Sequence, residues 1–260
     1  MITIILAGGL GTRISNETTK KPKPLILLNK KPLISYLINF YRKNGVNEFF
    51  ISGGYKYKKI IQYFKSIKDK SLYFDKDSSK KIERKIYHKF KISKKKNKYF
   101  IKVINTGLKT STGGRIFYLK KLLENYKYFY VTYGDGLSNV KIKKTLKLFK
   151  KEKCVAQVTA VKIPPRFGGI KFKKNQNKVE EFSEKHQNQA TWINGGFFIM
   201  NNDIFKYLKK DENLEQETLP RIVKKKDLAV YKHMGYWQCM DTPRDKIKIL
   251  EEIKNGKIKF

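Results

Sequence analysis

Short apolar runs alternate with stretches of helical periodicity along this 260-residue chain, and that alternation commits it to an α/β sheet. Residues 2–6 are almost continuously apolar, as the buried strands of a parallel sheet are. Behind Pro32, residues 33–42 carry apolar side chains at helical spacing until Gly45 ends the pattern. The same reading makes strands of 48–52, 101–105, 128–132, 156–161, 197–200 and 228–233. It makes 60–64 the end of a second helix and predicts helices over 114–125, 142–151 and 243–254, the last capped by Thr242. Asp203 is expected to cap a helix reaching Lys209. Segments 169–172 and 178–183 pair as a hairpin. From about 65 to 98 lysine is dense and glycine absent, so this stretch is either an excursion inserted into the sheet or a flexible loop. The expectation is one domain over 1–260, with that lysine-rich insertion and a C-terminal helix at about 243–255.

The first strand runs into Ala7-Gly8-Gly9-Leu10-Gly11-Thr12-Arg13, with Lys20-Lys21-Pro22-Lys23-Pro24 close behind. A bend alone does not need this combination; a bound phosphate chain does. Glycines let successive N–H groups point at an anion and let it come close, and Arg13 adds a delocalised charge. The third glycine of a dinucleotide fingerprint is missing, and no Gly-Lys-Ser/Thr makes a Walker A loop. Prolines on both sides stiffen the backbone around Lys23 and limit its reach. Asp135 follows a strand and stands between Gly134 and Gly136, at the strand edge where α/β ligands bind. Asp241, in Met240-Asp241-Thr242, is a second carboxylate. Read alone, one is also a turn residue and the other part of a helix cap; together with phosphate oxygens they suit Mg²⁺. No Ser/His/Asp arrangement is evident.

The formal net charge is +37, most of it lysine spread along the whole chain. That distribution reads as a lysine-biased surface that attracts anionic substrates, rather than as a nucleic-acid module. No apolar run approaches the roughly 20 residues of a membrane span. The first strand directly after Met1 leaves no room for a signal peptide. Cys154 and Cys239 form no C-x-x-C, so a cytoplasmic protein with reduced thiols is expected.

Further motifs follow in order: Gly53-Gly54-Tyr55-Lys56, Thr106-Gly107, Thr112-Gly113-Gly114-Arg115, Tyr133-Gly134-Asp135-Gly136, Arg166-Phe167-Gly168, Glu184-Lys185, Trp192-Ile193-Asn194-Gly195-Gly196-Phe197-Phe198 and Trp237-Gln238-Cys239-Met240-Asp241-Thr242. With the opening glycine loop, the ordered set resembles the sugar-phosphate nucleotidylyltransferases over nearly the whole chain, in particular the branch that makes CDP-glucose from CTP and glucose 1-phosphate. The resemblance implies a Rossmann-like, mixed but mostly parallel sheet flanked by helices (the nucleotide-diphospho-sugar transferase fold), with a small β-hairpin on the sugar side. It implies Mg²⁺, a homo-oligomer, and a product that feeds deoxysugar building for surface polysaccharide such as O-antigen and lipopolysaccharide.

The resemblance also distributes the site. Leu6, Ala7, Gly8, Gly9, Gly11, Thr12 and Arg13 would take the triphosphate, with Gly134 and Asp135 beside it. Thr112, Gly113, Gly114 and Arg115 would lie near the base. Lys23 would face the α-phosphate, so Lys23, Arg13 and Asp135 form the catalytic set and Asp135 and Asp241 the metal pair. Arg166, Gly168, Glu184, Lys185, Asn194, Gly195 and Gly196 would hold the sugar phosphate. A sugar-phosphate oxygen attacks the α-phosphorus and pyrophosphate leaves in line, so positioning and charge neutralisation supply the catalysis. Two positions depart from the family pattern: His186 and Cys239 stand where the family has proline. Residue types leave base and sugar open, with UTP, dTTP, and mannose or heptose 1-phosphate as alternatives.

Overall fold

In the computed structural model, residues 1–67, 73–74, 81–82, 85–94, 97–163, 169–173, 178–183 and 191–256 are described. The chain runs β1 (Ile2–Ala7), α1 (Leu33–Lys43), β2 (Glu48–Gly53), α2 (Tyr57–Ser66), β3 (Lys85–Lys94), β4 (Asn97–Asn105), α3 (Thr112–Phe117), β5 (Tyr128–Tyr133), β6 (Gly136–Ser138), α4 (Ile142–Glu152), β7 (Ala156–Ile163), β8 (Gly169–Phe172), β9 (Val179–Ser183), β10 (Thr191–Asn201), α5 (Leu219–Lys224), β11 (Leu228–His233), β12 (Trp237–Cys239) and α6 (Pro243–Lys254), with shorter turns between them.

The large sheet has the order β11-β7-β10-β5-β1-β2-β4-β3, with Tyr73–Phe74 beyond β3. Its centre, β5-β1-β2-β4, is parallel. β10 enters antiparallel to both β5 and β7, β11 pairs parallel with β7, and β3 turns back antiparallel along β4. β1 is buried at all six residues because both its faces are covered. Ile5 packs under α1 and α2, while Ile2, Ile4 and Leu6 pack against Ile116 and Leu119. Two-sided burial is what removes the polar alternation from its sequence.

The helices follow their apolar stripes. α1 buries Leu33, Ile34, Leu37, Ile38 and Tyr41, and Gly45, at φ 86°, closes it with an N–H bond to the Arg42 carbonyl. The stretch expected as one helix over 114–125 is two, α3 and Lys120–Leu123. Ile116, Leu119 and Leu123 still bury on one side, so the periodicity runs through the break. Near residue 203 the cap is Asn201, whose side chain accepts from the Asp203 N–H, and the element is a 3-10 turn, Asn202–Lys206, rather than a helix to Lys209. In the lysine-rich stretch the described residues build antiparallel strands onto the sheet edge. There Phe90 and Ile92 enter one core cluster and Tyr87 the other, as alternation in a strand requires. β8 and β9 pair as an antiparallel hairpin. Among the described residues no helix is long and apolar enough to cross a membrane.

Candidate active site

The parallel centre of the sheet brings the loop after β1 and the turn after β5 to the same edge. A cleft of about 360 Å³ opens there, lined by the glycine loop, Lys23, Thr112, Tyr133, Asp135 and Asp241 among others. Lys23 is only 9% exposed. Its Nζ donates to Asp135 Oδ2 at 2.8 Å and to Asp241 Oδ1 at 2.5 Å. Arg13 Nη1 pairs with Asp241 Oδ2 at 2.7 Å. The 3-10 turn Lys23–Leu25, closed by the Leu25 N–H on the Pro22 carbonyl at 2.8 Å, aims the lysine inward. Burial alone would lower the Lys23 pKa, but Asp135 and then Asp241, by charge and hydrogen bond together, outweigh it and hold the ammonium above its ordinary value.

The two carboxylates meet through a pairing of very short strands. β6 and β12 run antiparallel, Gly136 opposite Cys239, and the Met240 N–H reaches the Asp135 carbonyl at 2.8 Å. The capping box of α6 then fixes Asp241. Asp245 Oδ2 accepts from the backbone N–H groups of Asp241 at 3.0 Å and Thr242 at 2.8 Å, while Thr242 Oγ1 accepts from the Asp245 N–H. Asp241 thus keeps its backbone anchor with Cys239 in place of a proline. Burial, followed by the charges of Asp241 and Asp135, pushes the Cys239 thiol up to about 11, so at neutral pH it is a packed thiol and not a nucleophile. Lys246 of α6 also pairs with Glu17, which ties this helix to the turn behind the glycine loop.

Because one ammonium bonds both carboxylates, their oxygens converge on a single cation position. Hard oxygen donors of this kind fit Mg²⁺. Among the described residues no cluster of three His, Cys, Asp or Glu side chains is present, so phosphate oxygens and water would complete such a shell.

The glycines serve different purposes. A Cβ on Gly9 would meet nothing within 4 Å, and Gly11 sits at φ 69°. A Cβ on Gly8 would lie 2.0 Å from the Arg115 guanidinium carbon. Arg115 is buried, and its guanidinium donates to the carbonyls of Gly8 at 3.1 Å, Gly53 at 3.2 Å and Gly107 at 3.0 Å, and to Thr106 Oγ1 at 2.7 Å. It lines the cleft, but these bonds spend its donors on the end of β2 and the loops after β1 and β4. Burial pulls its pKa down to about 10, which leaves it charged at neutral pH. Gly8→Ala must therefore displace this tie and is expected to cost about 2 kcal/mol of stability. Gly9→Ala should leave the fold unchanged, and denaturant unfolding of the two variants checks the contrast.

Gly113 and Gly114 pack against backbone: added Cβ atoms would stand 2.6 Å from the Glu212 carbonyl and 2.9 Å from the Asp211 nitrogen. Thr112 Oγ1 donates to Glu215 Oε2 at 2.6 Å. Gly134 sits against the end of β1, its N–H on the Leu6 carbonyl at 2.9 Å. Asn194, Gly195 and Gly196 lie inside β10, which begins earlier than the sequence suggests and is irregular opposite Val158 and Ala160. They do not line the cleft, but Asn194 Nδ2 donates to the hydroxyl of Tyr133, which does, at 3.1 Å, and Trp237 Nε1 donates to the Gly195 carbonyl at 2.7 Å. The other residues expected around the sugar phosphate, Arg166, Gly168, Glu184 and Lys185, lie outside the described residues, as does His186. Sequence reasoning missed Asn213 in the lining and Glu215 behind Thr112. The only signal for them is Asn213 itself, a helix-start residue ahead of an acidic turn.

The family model for nucleotidyl transferases matches residues 2–255. A glucose-1-phosphate cytidylyltransferase of Salmonella typhimurium is 33% identical over 262 residues, covering 99% of this chain and 97% of that protein. A probable glucose-1-phosphate cytidylyltransferase of Bacillus subtilis is 34% identical over 251 residues, covering 96% and 94%. Among solved structures, HddC from Yersinia pseudotuberculosis complexed with GMP-PN superposes with a TM-score of 0.68 at 22% identity, over 97% of this chain and 99% of that one. The last likeness is one of fold; the first three span nearly the whole sequence, and by them this chain belongs to the nucleotidyl transferase family.

Proposed function

We propose that the protein transfers a cytidylyl group from CTP to α-D-glucose 1-phosphate, giving CDP-glucose and pyrophosphate. One observation carries the chemistry: Lys23, Arg13, Asp135 and Asp241 converge in a cleft at the strand ends. The choice of CTP and glucose 1-phosphate follows the full-length similarity to the cytidylyltransferases. Both reactants are anions, so the work is to bring a sugar-phosphate oxygen in line with the α-phosphorus and to neutralise charge. Lys23, brought into the cleft by the turn between its two prolines, faces the charge that builds on the α-phosphoryl oxygens. Arg13, three-quarters exposed at its side chain, is free to swing from Asp241 to the phosphate chain. The glycine loop offers backbone N–H groups, with Gly9 open to an incoming phosphate. Mg²⁺, held by Asp135 and Asp241, would supply further charge neutralisation on the phosphates. The product would serve deoxysugar synthesis for surface polysaccharide in the cytoplasm, and the homo-oligomer rests on the family resemblance alone.

A second reading keeps the reaction and changes the pair. Its support is that the Thr112 hydroxyl is engaged by Glu215, so base selection near α3 falls to backbone groups. Pyrophosphate release should be measured with CTP, UTP, dTTP and GTP, each crossed with glucose, mannose and heptose 1-phosphates in Mg²⁺. The fastest release is expected with CTP and glucose 1-phosphate; a different preferred pair selects the second reading, and no release from CTP sinks the first.

A further inference from the structure

Glu215 is a carboxylate that the ionic cluster of the cleft does not use. It sits in a π turn, Leu214–Thr218, a rare geometry that recurs at functional sites. The turn is fixed at its start. The Asn213 side chain accepts from the N–H groups of Glu215 at 2.9 Å and Gln216 at 3.1 Å, and the Glu217 carboxylate accepts from the Asn213 N–H at 2.6 Å. The backbone of Glu215 is therefore set before its side chain makes any contact.

That side chain takes two hydroxyl donors, Thr112 Oγ1 at 2.6 Å on one oxygen and the Tyr133 hydroxyl on the other. Thr112 Oγ1 also accepts from the Leu214 N–H at 3.0 Å, which commits its hydrogen to Glu215. The Tyr133 oxygen accepts from Asn194 Nδ2, and Asn194 Oδ1 accepts from the Gly196 N–H at 2.8 Å. The Tyr133 ring also presses on Gly196, where a Cβ would stand 2.4 Å away. An unbroken polar chain thus joins the first turn of α3 to the irregular stretch of β10. Among the described residues no lysine or arginine pairs with Glu215, although the chain carries 59 of them. Burial, and next the Glu215 charge, push the Tyr133 phenol up, so it remains a donor at any working pH.

We propose that Glu215 is a positioning residue that couples the cleft to the strand beside it: by bridging Thr112 and Tyr133 it holds the nucleotide loop and residues 194–196, which stand outside the lining, in one arrangement. The proposal rests on the reading of the Thr112 loop as the nucleotide side and of 194–196 as the sugar side. Two charge-assisted hydrogen bonds are lost in Glu215→Ala, and the KM for CTP and for glucose 1-phosphate should each rise about tenfold, with a much smaller change in kcat. Tyr133→Phe keeps the Thr112 bridge and should raise the sugar-phosphate KM alone. Glu215→Gln keeps an acceptor and should raise both KM values by less than alanine does.

A residue that only stabilises the fold would lower the melting temperature and leave both KM values at those of the parent, and that result overturns the proposal; so does a rise in one KM alone. If Glu215→Ala fails to fold, parental KM values in Glu215→Gln overturn it. Thr112→Val removes the same bridge from its other end and should also raise the KM for CTP. Parental KM values there and in the Glu215 variants mean that only the coupling falls, whereas no pyrophosphate release from CTP by the parent overturns the reading beneath it and the coupling with it.

Discussion

Lys23→Ala is expected to lower kcat by about 10²–10³-fold, the cost of removing one preorganised charge at a reacting centre, while moving either KM far less. The lysine is nearly buried, flanked by two prolines, and already aimed at the point where the two carboxylates meet. Such a group adds little to ground-state binding that Arg13 and the loop amides do not supply; its worth grows as charge builds on the α-phosphoryl group. The substitution also leaves Asp135 without its cation and Asp241 with only the exposed Arg13, so melting in chelator should fall while added Mg²⁺ restores part of it. The pH behaviour has a definite sign. A lysine whose folded pKa is raised contributes its full stability below the unfolded value of 10.5 and loses it only as pH rises through the higher folded value. Charge loss at Lys23 therefore cannot limit activity between pH 6 and 9, and a fall in kcat in that window with an apparent lysine titration would contradict this arrangement.

Asp135→Asn should cost about a thousandfold in turnover, since a metal-bound phosphate is worth several kcal/mol of charge stabilisation. The amide is nearly isosteric and keeps an oxygen for the Lys23 ammonium, so circular dichroism and melting should stay close to the parent. Mg²⁺ activation is the discriminating readout: the variant should need far more metal or show no saturation, and a parental activation curve would remove Asp135 from the metal pair. Asp241→Asn loses the Arg13 pair as well, but its backbone remains held by Asp245, so the fold should again survive.

What was legible in the sequence is what local periodicity and capping record. β1 announces itself because both faces are covered, α1 by its stripe and its glycine, and α6 by its periodicity behind Thr242. Lys23 and Asp135 are legible because proline and glycine mark positions where backbone stiffness or close approach is needed. The meeting of Asp135 with Asp241 is not, because it depends on pairing two three-residue strands far apart in the chain, too short for any periodic signal. Gly8 is legible as a glycine but not for its reason, which is the passage of the Arg115 guanidinium. Arg115 itself reads as a nucleotide-binding residue near the base until the carbonyls it ties are in view. Glu215 gives no sign beyond the Asn213 ahead of it, since its side-chain partners come from two other elements, α3 and β5.

Transfer of the α-phosphorus itself is the central claim. Incubating the protein with CTP labelled at the α-phosphorus, glucose 1-phosphate and Mg²⁺ should move the label into CDP-glucose, with one pyrophosphate released for each sugar nucleotide formed. Label left in CTP, or appearing in CMP with no sugar nucleotide, would contradict the account.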